Sequence, residues 1–194
     1  RNISLDHTIV PISGDWRIYW NQLLSPTDRL PSISTYTYFP NHWNYTTING
    51  KTLSAKGYAS YTVRVLLNGK LENKLAIKLP DTYCSFKLFV NGQFFAAAGV
   101  PGTTKETTTE QWLEQVAELP NADTLDLILQ IANFRHSKGG PYKPILIGNK
   151  EILLHDKAAE DGFDLLLAGA LLMGGVFFIG LFYFSKHDKV ILCF

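Results

Sequence analysis

Hydrophobic and polar residues alternate in several short segments of the chain. In Trp16–Trp20 (WRIYW) large apolar side chains recur on one face, while Arg17 falls on the other. A period of two residues is typical of a β-strand with one buried face. Segments of the same style follow at Tyr58–Leu67, Leu75–Leu79, Phe86–Val90, Gln93–Ala97 and Leu125–Ile131. The pattern therefore predicts a series of short strands.

Asn-Gly pairs predict tight turns between strands. Asn91-Gly92 separates two predicted strands, and this dipeptide supplies the two positive-φ residues of a type I′ hairpin. Asn49-Gly50 and Asn68-Gly69 are further turn signals. No ten-residue helical pattern separates the strands, which disfavours a parallel α/β sheet. We therefore predict an all-β sandwich, with Lys105–Leu113 as a short helix or loop.

The alternation within each strand also predicts the core of this sandwich. Side chains two residues apart on a strand point to the same face of the sheet. The predicted core side chains are Trp16, Ile18, Trp20, Val63, Val65, Leu88, Val90, Leu127 and Leu129.

A second pattern begins near the C-terminus, where Leu165–Phe184 contains twenty residues without a charge. Twenty helical residues span about 30 Å, the hydrocarbon thickness of a bilayer. This segment is therefore predicted to be a transmembrane helix. Lys186 and Lys189 follow it and acidic residues precede it, so the positive-inside rule places the N-terminal part outside the cell.

The residues Val190–Phe194 are apolar again and predict the start of a second membrane segment. At the other end, Arg1 is not a methionine. We therefore expect both ends of the chain to be the ends of a fragment. The predicted boundaries are 1–155 for an extracellular ligand-binding domain, 156–164 for a juxtamembrane segment, 165–185 for the first transmembrane helix, and 186–194 for a cytoplasmic loop with the start of a second membrane segment.

Composition narrows the classes of function. The net charge is +1, which does not suit a broadly basic nucleic-acid binder, so no nucleic-acid partner is expected. Cys84 and Cys193 are the two cysteines of the chain, and the second lies beyond the apolar block, so a disulfide framework is excluded.

Three segments carry a family resemblance. The run Gly14–Trp20 within Ile3–Leu24 resembles the opening strand of β-galactosidase-type sugar-binding jelly rolls, and Tyr83–Gly92 resembles a hairpin of that fold. Asn133–Gly148, with its Gly139-Gly140 pair and the apolar helix that follows, resembles the extracellular domain of bacterial 7TM receptors with diverse intracellular signalling modules.

This resemblance implies a galactose-binding-domain-like jelly-roll sandwich, which binds carbohydrate, ahead of seven membrane helices. It also implies a cytoplasmic output module, such as a histidine kinase or a nucleotide cyclase, beyond the present chain. Further transmembrane helices of the same protein are then partners of the first one.

The sequence offers no catalytic or metal-binding constellation. Retaining glycosidases need two carboxylates about 5 Å apart, and the acidic residues show no spacing that suggests such a pair. The histidines lack H-x-x-x-H spacing. Structural calcium is compatible with jelly rolls of this kind, but no loop has the dense acidic usage of a calcium site. We therefore predict that the chain is not an enzyme and needs no cofactor.

The loop Arg135–Tyr142 (RHSKGGPY) is the predicted ligand-binding segment, through Arg135, His136 and Lys138. Arginine offers a fixed fork of donors to hydroxyls or a carboxylate, and glycine lets the backbone approach a ligand closely. Trp43 and Trp112 are predicted stacking walls for a sugar ring. Two alternatives stay open: a tight loop whose charges face water, and tryptophans that serve burial.

These observations lead to two hypotheses about function. The first is the extracytoplasmic sensor of a receptor in the bacterial cell membrane, with a small saccharide as its ligand. The second is an envelope-anchored sugar-binding accessory domain of a glycoside hydrolase.

Overall fold

The computed structural model describes residues 8–32, 34–67, 74–82 and 84–184, and these form a β-sandwich followed by one long helix. The strands are β1 (Val10–Pro11), β2 (Gly14–Trp20), β3 (Thr35–Phe39), β4 (Thr47–Ile48), β5 (Lys51–Thr52), β6 (Gly57–Leu66), β7 (Leu75–Leu79), β8 (Ser85–Val90), β9 (Gln93–Ala98), β10 (Gln115–Glu118), β11 (Thr124–Asn133) and β12 (Leu146–Asn149). The helix α1 is Lys150–Phe184. The predicted fold class, a β-sandwich followed by an apolar helix, is confirmed.

Two antiparallel sheets build the sandwich. One has four strands in the order β1-β12-β7-β10, and the other has six in the order β3-β2-β6-β11-β8-β9. The central pair of the larger sheet is β6 with β11, which run in register from Gly57 opposite Asn133 to Leu66 opposite Thr124. Strands β4 and β5 form a small separate ribbon.

The core lies between the two sheets and follows the predicted alternation. In β2, Trp16 and Ile18 are buried while Asp15 and Arg17 face solvent. The predicted core residues Leu88, Val90, Leu127 and Leu129 are buried as well, and Trp20, Val63 and Val65 are half-buried against the same cluster.

Two of the predicted turns are present. Asn91 and Gly92 both have positive φ, 49° and 80°, and join β8 to β9. Asn49 and Gly50 join β4 to β5 in the same way. The third pair, Asn68-Gly69, lies outside the described residues. Residues 105–113 form a loop, one of the two predicted outcomes.

The helix begins earlier than the apolar block, at Lys150. Asn149 caps it, because its Oδ1 accepts hydrogen bonds from the amides of Glu151 (2.8 Å) and Ile152 (3.4 Å). Leu153 in the first turn is buried in the core of the sandwich. The chain divides into two compact units after Leu153.

Ion pairs join β7, β10 and the first residue of α1. Glu118 on β10 lies 2.9 Å from Lys74 and 2.6 Å from Lys150. The hydrogen bonds from Lys150 and then Lys74 lower the pKa of Glu118 to about 2. This cluster holds the start of the helix to the smaller sheet.

Within the described residues, α1 is the one helix long and apolar enough to cross a membrane by length and composition. The side chains of its apolar stretch are exposed, as in Leu165 and Phe184. The helix is therefore a candidate membrane span. Lys186, Lys189 and Val190–Phe194, on which the predicted orientation and second membrane segment rest, lie outside the described residues.

Candidate functional site

The predicted binding loop is held by Asn133, a fully buried residue at the end of β11. Its side-chain amide donates to the carbonyl oxygens of Ala55 (2.9 Å), His136 (3.0 Å) and Lys138 (3.2 Å). Its Oδ1 accepts from the His136 amide at 3.0 Å. Because one side chain bonds the backbone of both His136 and Lys138, the loop leaves β11 in a defined conformation.

Trp43 lies beneath this loop and is fully buried. Its indole Nε1 donates to the Ala55 carbonyl at 3.1 Å, and its amide donates to the Gly139 carbonyl at 2.9 Å. The prediction that Trp43 is a stacking wall is therefore wrong: a side chain with no exposed surface offers no face to a sugar. The alternative stated above, a tryptophan that serves burial, is the one that the structure shows.

The Gly139-Gly140 pair serves the same packing. A Cβ on Gly139 would lie 2.2 Å from the Trp43 Nε1, and Gly140 has a φ of +88°. The absence of a side chain thus lets the loop backbone rest directly on the indole ring. The close approach that the sequence suggested is to a tryptophan of the core and not to a ligand.

A cleft of about 600 Å³ opens beside the loop. It is lined by Lys105, Glu106, Thr108, Thr109, Glu110, Trp112 and Arg135. Two predicted site residues, Trp112 and Arg135, thus line one cleft although they lie far apart in sequence. Trp112 is 62% exposed, and the His136 ring meets it edge-on with centroids 6.2 Å apart.

Threonine hydroxyls shape the loop that carries most of this cleft. The Thr108 Oγ1 donates to the Thr104 carbonyl at 2.7 Å and accepts from the Gly102 amide at 3.2 Å. Val100 and Thr109 close the base of the loop through two backbone hydrogen bonds, of 2.7 and 3.0 Å. The residues that follow, Glu110 and Trp112, are positioned by this closed base.

Glu110 is the most buried charged residue among the lining residues that the sequence did not predict. Its Oε2 lies 3.8 Å from the Arg135 Nε, and its side chain is only 15% exposed. Its Oε1 is buried and has no hydrogen-bond partner among the described residues. Nothing in the sequence singles it out, because its position depends on a contact with a loop 25 residues further along.

Cys84 lies close to this carboxylate and to the loop. Burial is the main cause that raises the pKa of the Cys84 thiol to about 12, and the charge of Glu110 adds to the effect. A hydrogen bond with the Gly140 backbone opposes it. The thiol therefore stays protonated and unreactive at neutral pH.

Lys138 does not line the cleft. Its charge acts on His42: burial and, after it, Lys138 lower the pKa of that imidazole. The His42 ring stacks on Tyr142 with centroids 6.0 Å apart. The predicted site is therefore divided, with Arg135 and His136 beside Trp112, and Lys138 acting on His42.

A larger groove, of about 980 Å³, lies on the outer face of the six-stranded sheet. Both arginines that line it are already hydrogen-bonded. Arg64 forms a two-pronged pair with Asp126 (2.6 and 2.9 Å), and Arg17 donates to the Tyr36 hydroxyl at 2.9 Å. A ligand there would have to displace these bonds, which makes the smaller cleft the better candidate.

Among the described residues, no group of three or more His, Cys, Asp or Glu side chains lies close enough to hold a metal ion.

Comparison with known proteins gives a likeness of fold. No family model and no curated protein matches the chain. Among solved structures, the β-glucuronidase of Faecalibacterium prausnitzii superimposes with a TM-score of 0.55 at 10% identity, over 72% of this chain and 31% of that one. A β-glucuronidase from an uncultured Clostridium species gives 0.56 at 11% identity, over 76% and 30%. One from Ruminococcus gnavus gives 0.53 at 11%, over 72% and 27%.

At such identities the likeness shows the fold alone. The chain spans less than a third of each of these β-glucuronidases. The sandwich thus has the fold of one part of larger carbohydrate-cleaving enzymes.

Proposed function

We propose that this chain is the extracytoplasmic sensor region of a bacterial membrane signalling receptor, and that its sandwich binds a saccharide in the cleft beside Trp112. The observation that carries the proposal is the composition of the cleft. An exposed indole stands next to an exposed guanidinium and a partly buried carboxylate.

Each of these groups suits a polyol. The face of an aromatic ring packs against the apolar C–H face of a sugar, and the carboxylate of Glu110 accepts hydrogen bonds from hydroxyls. Arg135 donates in a fixed planar fork. Hydrogen bonds to charged groups contribute about 1.5–3 kcal/mol each, part of which the ordering of ligand and side chains offsets.

The receptor part of the proposal is supported by the candidate membrane span that follows the sandwich. The lysines after the apolar block in the sequence favour a cytoplasmic C-terminal side, which supports an extracytoplasmic sandwich. The helix starts in the core of the sandwich through Leu153, so its first turn would respond to a change in the sandwich.

The likeness to β-glucuronidases favours a second candidate, an envelope-anchored sugar-binding accessory domain of a glycoside hydrolase. Both candidates predict a binding chain without catalytic activity. They differ in the coding sequence downstream of Phe194. Six further hydrophobic helices and a signalling module support the receptor, whereas a stop codon or a catalytic barrel supports the accessory domain.

Saccharide binding is tested with the whole chain in lipid nanodiscs on a glycan array. Retention of at least one glycan is expected, with the Trp112→Ala and Arg135→Ala variants weaker by about tenfold, since 1.4 kcal/mol is a factor of ten. Arg64→Ala, which removes an exposed arginine on the outer face of the larger sheet, is the matched control. Loss of binding in Arg64→Ala alone would move the site to the larger groove.

A further inference from the structure

The carboxylate of Glu110 is poorly supplied with hydrogen-bond donors. A carboxylate can accept about four hydrogen bonds. Among the described residues, Glu110 has one ion-pair contact, at 3.8 Å to the Arg135 Nε, and its Oε1 has no hydrogen-bond partner. A buried polar atom without a partner destabilises the folded state, because it has lost its hydrogen bonds to water. Such a group inside a cleft is positioned for donors that a ligand brings.

The cations of the cleft are accessible to a ligand as well. The side chain of Arg135 is 67% exposed, and Lys105 is exposed. The second carboxylate of the cleft, Glu106, is engaged within its own loop. Hydrogen bonds from its own backbone amide and from the Thr104 hydroxyl, and then the charge of Lys105, lower its pKa, so Glu106 stays charged. The Glu106 carboxylate is thus supplied with donors, whereas Glu110 lacks them and the guanidinium of Arg135 is exposed.

From this arrangement we infer that the cleft binds an acidic saccharide, a sugar ring that carries a carboxylate. The inference rests on the proposed function and names the class of saccharide. The ligand carboxylate binds Arg135 and Lys105, ring hydroxyls donate to Glu110, and the ring face packs on Trp112. Glu110, Arg135 and Lys105 then each meet a ligand group of the complementary hydrogen-bonding type.

Ligands of other charge fit this set less well. A neutral sugar satisfies Glu110 but leaves the forked guanidinium of Arg135 without the planar anion that it binds best. An amino sugar brings a donor for Glu110, but it adds a positive charge beside Arg135 and offers that guanidinium no anion. The acidic saccharide is the class that uses Glu110 and the two cations together.

The experiment uses the whole chain in nanodiscs and an array of matched pairs, in which each oligosaccharide containing uronic acid is printed beside its methyl ester. The ester keeps the ring and its hydroxyls and removes only the charge. The variants are Glu110→Gln, Arg135→Ala and Arg64→Ala, the last as the control outside the cleft. Thermal unfolding of each variant is measured alongside.

We expect the wild-type chain and Arg64→Ala to bind at least one uronic acid ten or more times more tightly than its methyl ester. The ratio of the two affinities should decrease as the salt concentration is raised, because salt screens the charges. Arg135→Ala should bind acid and ester about equally. Glu110→Gln should bind both members about tenfold more weakly while keeping the preference. It should unfold no earlier than the wild type, because it removes a poorly paired carboxylate.

Two results overturn the inference, and they can be told apart. Equal binding of acid and ester by the wild-type chain, or tighter binding of the ester, refutes the acidic ligand and leaves saccharide binding intact. If no glycan of the array is retained, the proposed function fails and the inference fails with it. Unchanged binding by Glu110→Gln refutes the role given to this carboxylate.

Discussion

Trp43 and Trp112 show how differently two tryptophans of one chain are used. Trp43 is fully buried and hydrogen-bonded at its indole nitrogen, whereas Trp112 is 62% exposed at the cleft. The sequence offered both as stacking walls, since neither stands in a strand with a clear alternation. Burial of Trp43 depends on Ala55 and Gly139, which meet it only in the fold.

Replacement of these two residues should therefore have opposite effects. Trp43→Ala is expected to lower the free energy of unfolding by about 3–5 kcal/mol, because it removes a large side chain from a packed core. Trp112→Ala should change it by no more than about 0.5 kcal/mol. Urea denaturation measures both, and equal losses in the two variants would contradict this assignment.

Glu110 and Asn133 show where residue-level prediction from the sequence ends. Asn133 bonds its own loop locally, through His136 and Lys138, but the bond that ties this loop to the rest of the sandwich goes to Ala55, 78 residues away. Glu110 was one of several scattered acidic residues. A side chain whose function depends on distant partners has no local signal, whereas Trp16 and Leu88 were predicted as core because their alternation is local.

At the scale of elements, long strands and one hairpin were predictable and short strands were not. The β8–β9 hairpin follows from Asn91-Gly92, whose positive φ angles few other residues adopt. Strands β10 and β12 were not predicted, because four residues with little alternation (QVAE and LIGN) give no periodic signal. Their strand conformation comes from pairing with β7.

The early start of α1 was missed for a related reason. Residues 150–164 are mainly polar and show no apolar stripe, so the sequence placed the helix at the apolar block alone. The cap by Asn149 and the burial of Leu153 fix its beginning at Lys150. The cap is local, since Asn149 bonds amides two and three residues further on, whereas the burial of Leu153 is a tertiary feature.

The ion pairs of Glu118 with Lys74 and Lys150 should make stability depend on acid. The pKa of Glu118 is lowered from 4.5 to about 2 in the folded state, so this stabilisation is present above pH 4.5 and is lost as the pH falls towards 2. Glu118→Gln should therefore show a shallower fall of the melting temperature between pH 5 and pH 2 than the wild type. Since these charges lie at the surface, the effect is small.

Lys150→Met is the matched second variant, because the Lys150 hydrogen bond is the largest cause of the lowered pKa. Its melting temperature should fall with pH nearly as little as that of Glu118→Gln. About 1 M salt should reduce the difference in acid dependence between the wild type and each variant, because salt screens the ion pairs. Identical acid dependence of wild type and Glu118→Gln would show that the cluster does not stabilise the folded state.

At the scale of the whole molecule, the proposed orientation in the membrane can be measured with thiols. Buried Cys84, with a pKa raised to about 12, should not react in the folded protein. A cysteine at Ser137, an exposed position of the loop, should be labelled by an impermeant maleimide in intact cells when Cys193 is replaced by serine. A cysteine at His187 in the same background, in the polar stretch that follows the apolar block in the sequence, should be labelled only after permeabilisation. The reverse pattern would place the sandwich in the cytoplasm.

The exposure of the four tryptophans has a spectroscopic consequence. Trp16 and Trp43 are buried and Trp20 is half-buried, while Trp112 is largely exposed at the wall of the cleft. Collisional quenchers such as acrylamide should therefore act mainly on Trp112, whose emission lies at the red edge of the spectrum. Its fluorescence reports cleft occupancy without any added label, and a ligand that covers the ring should shift the emission to the blue and protect it from the quencher.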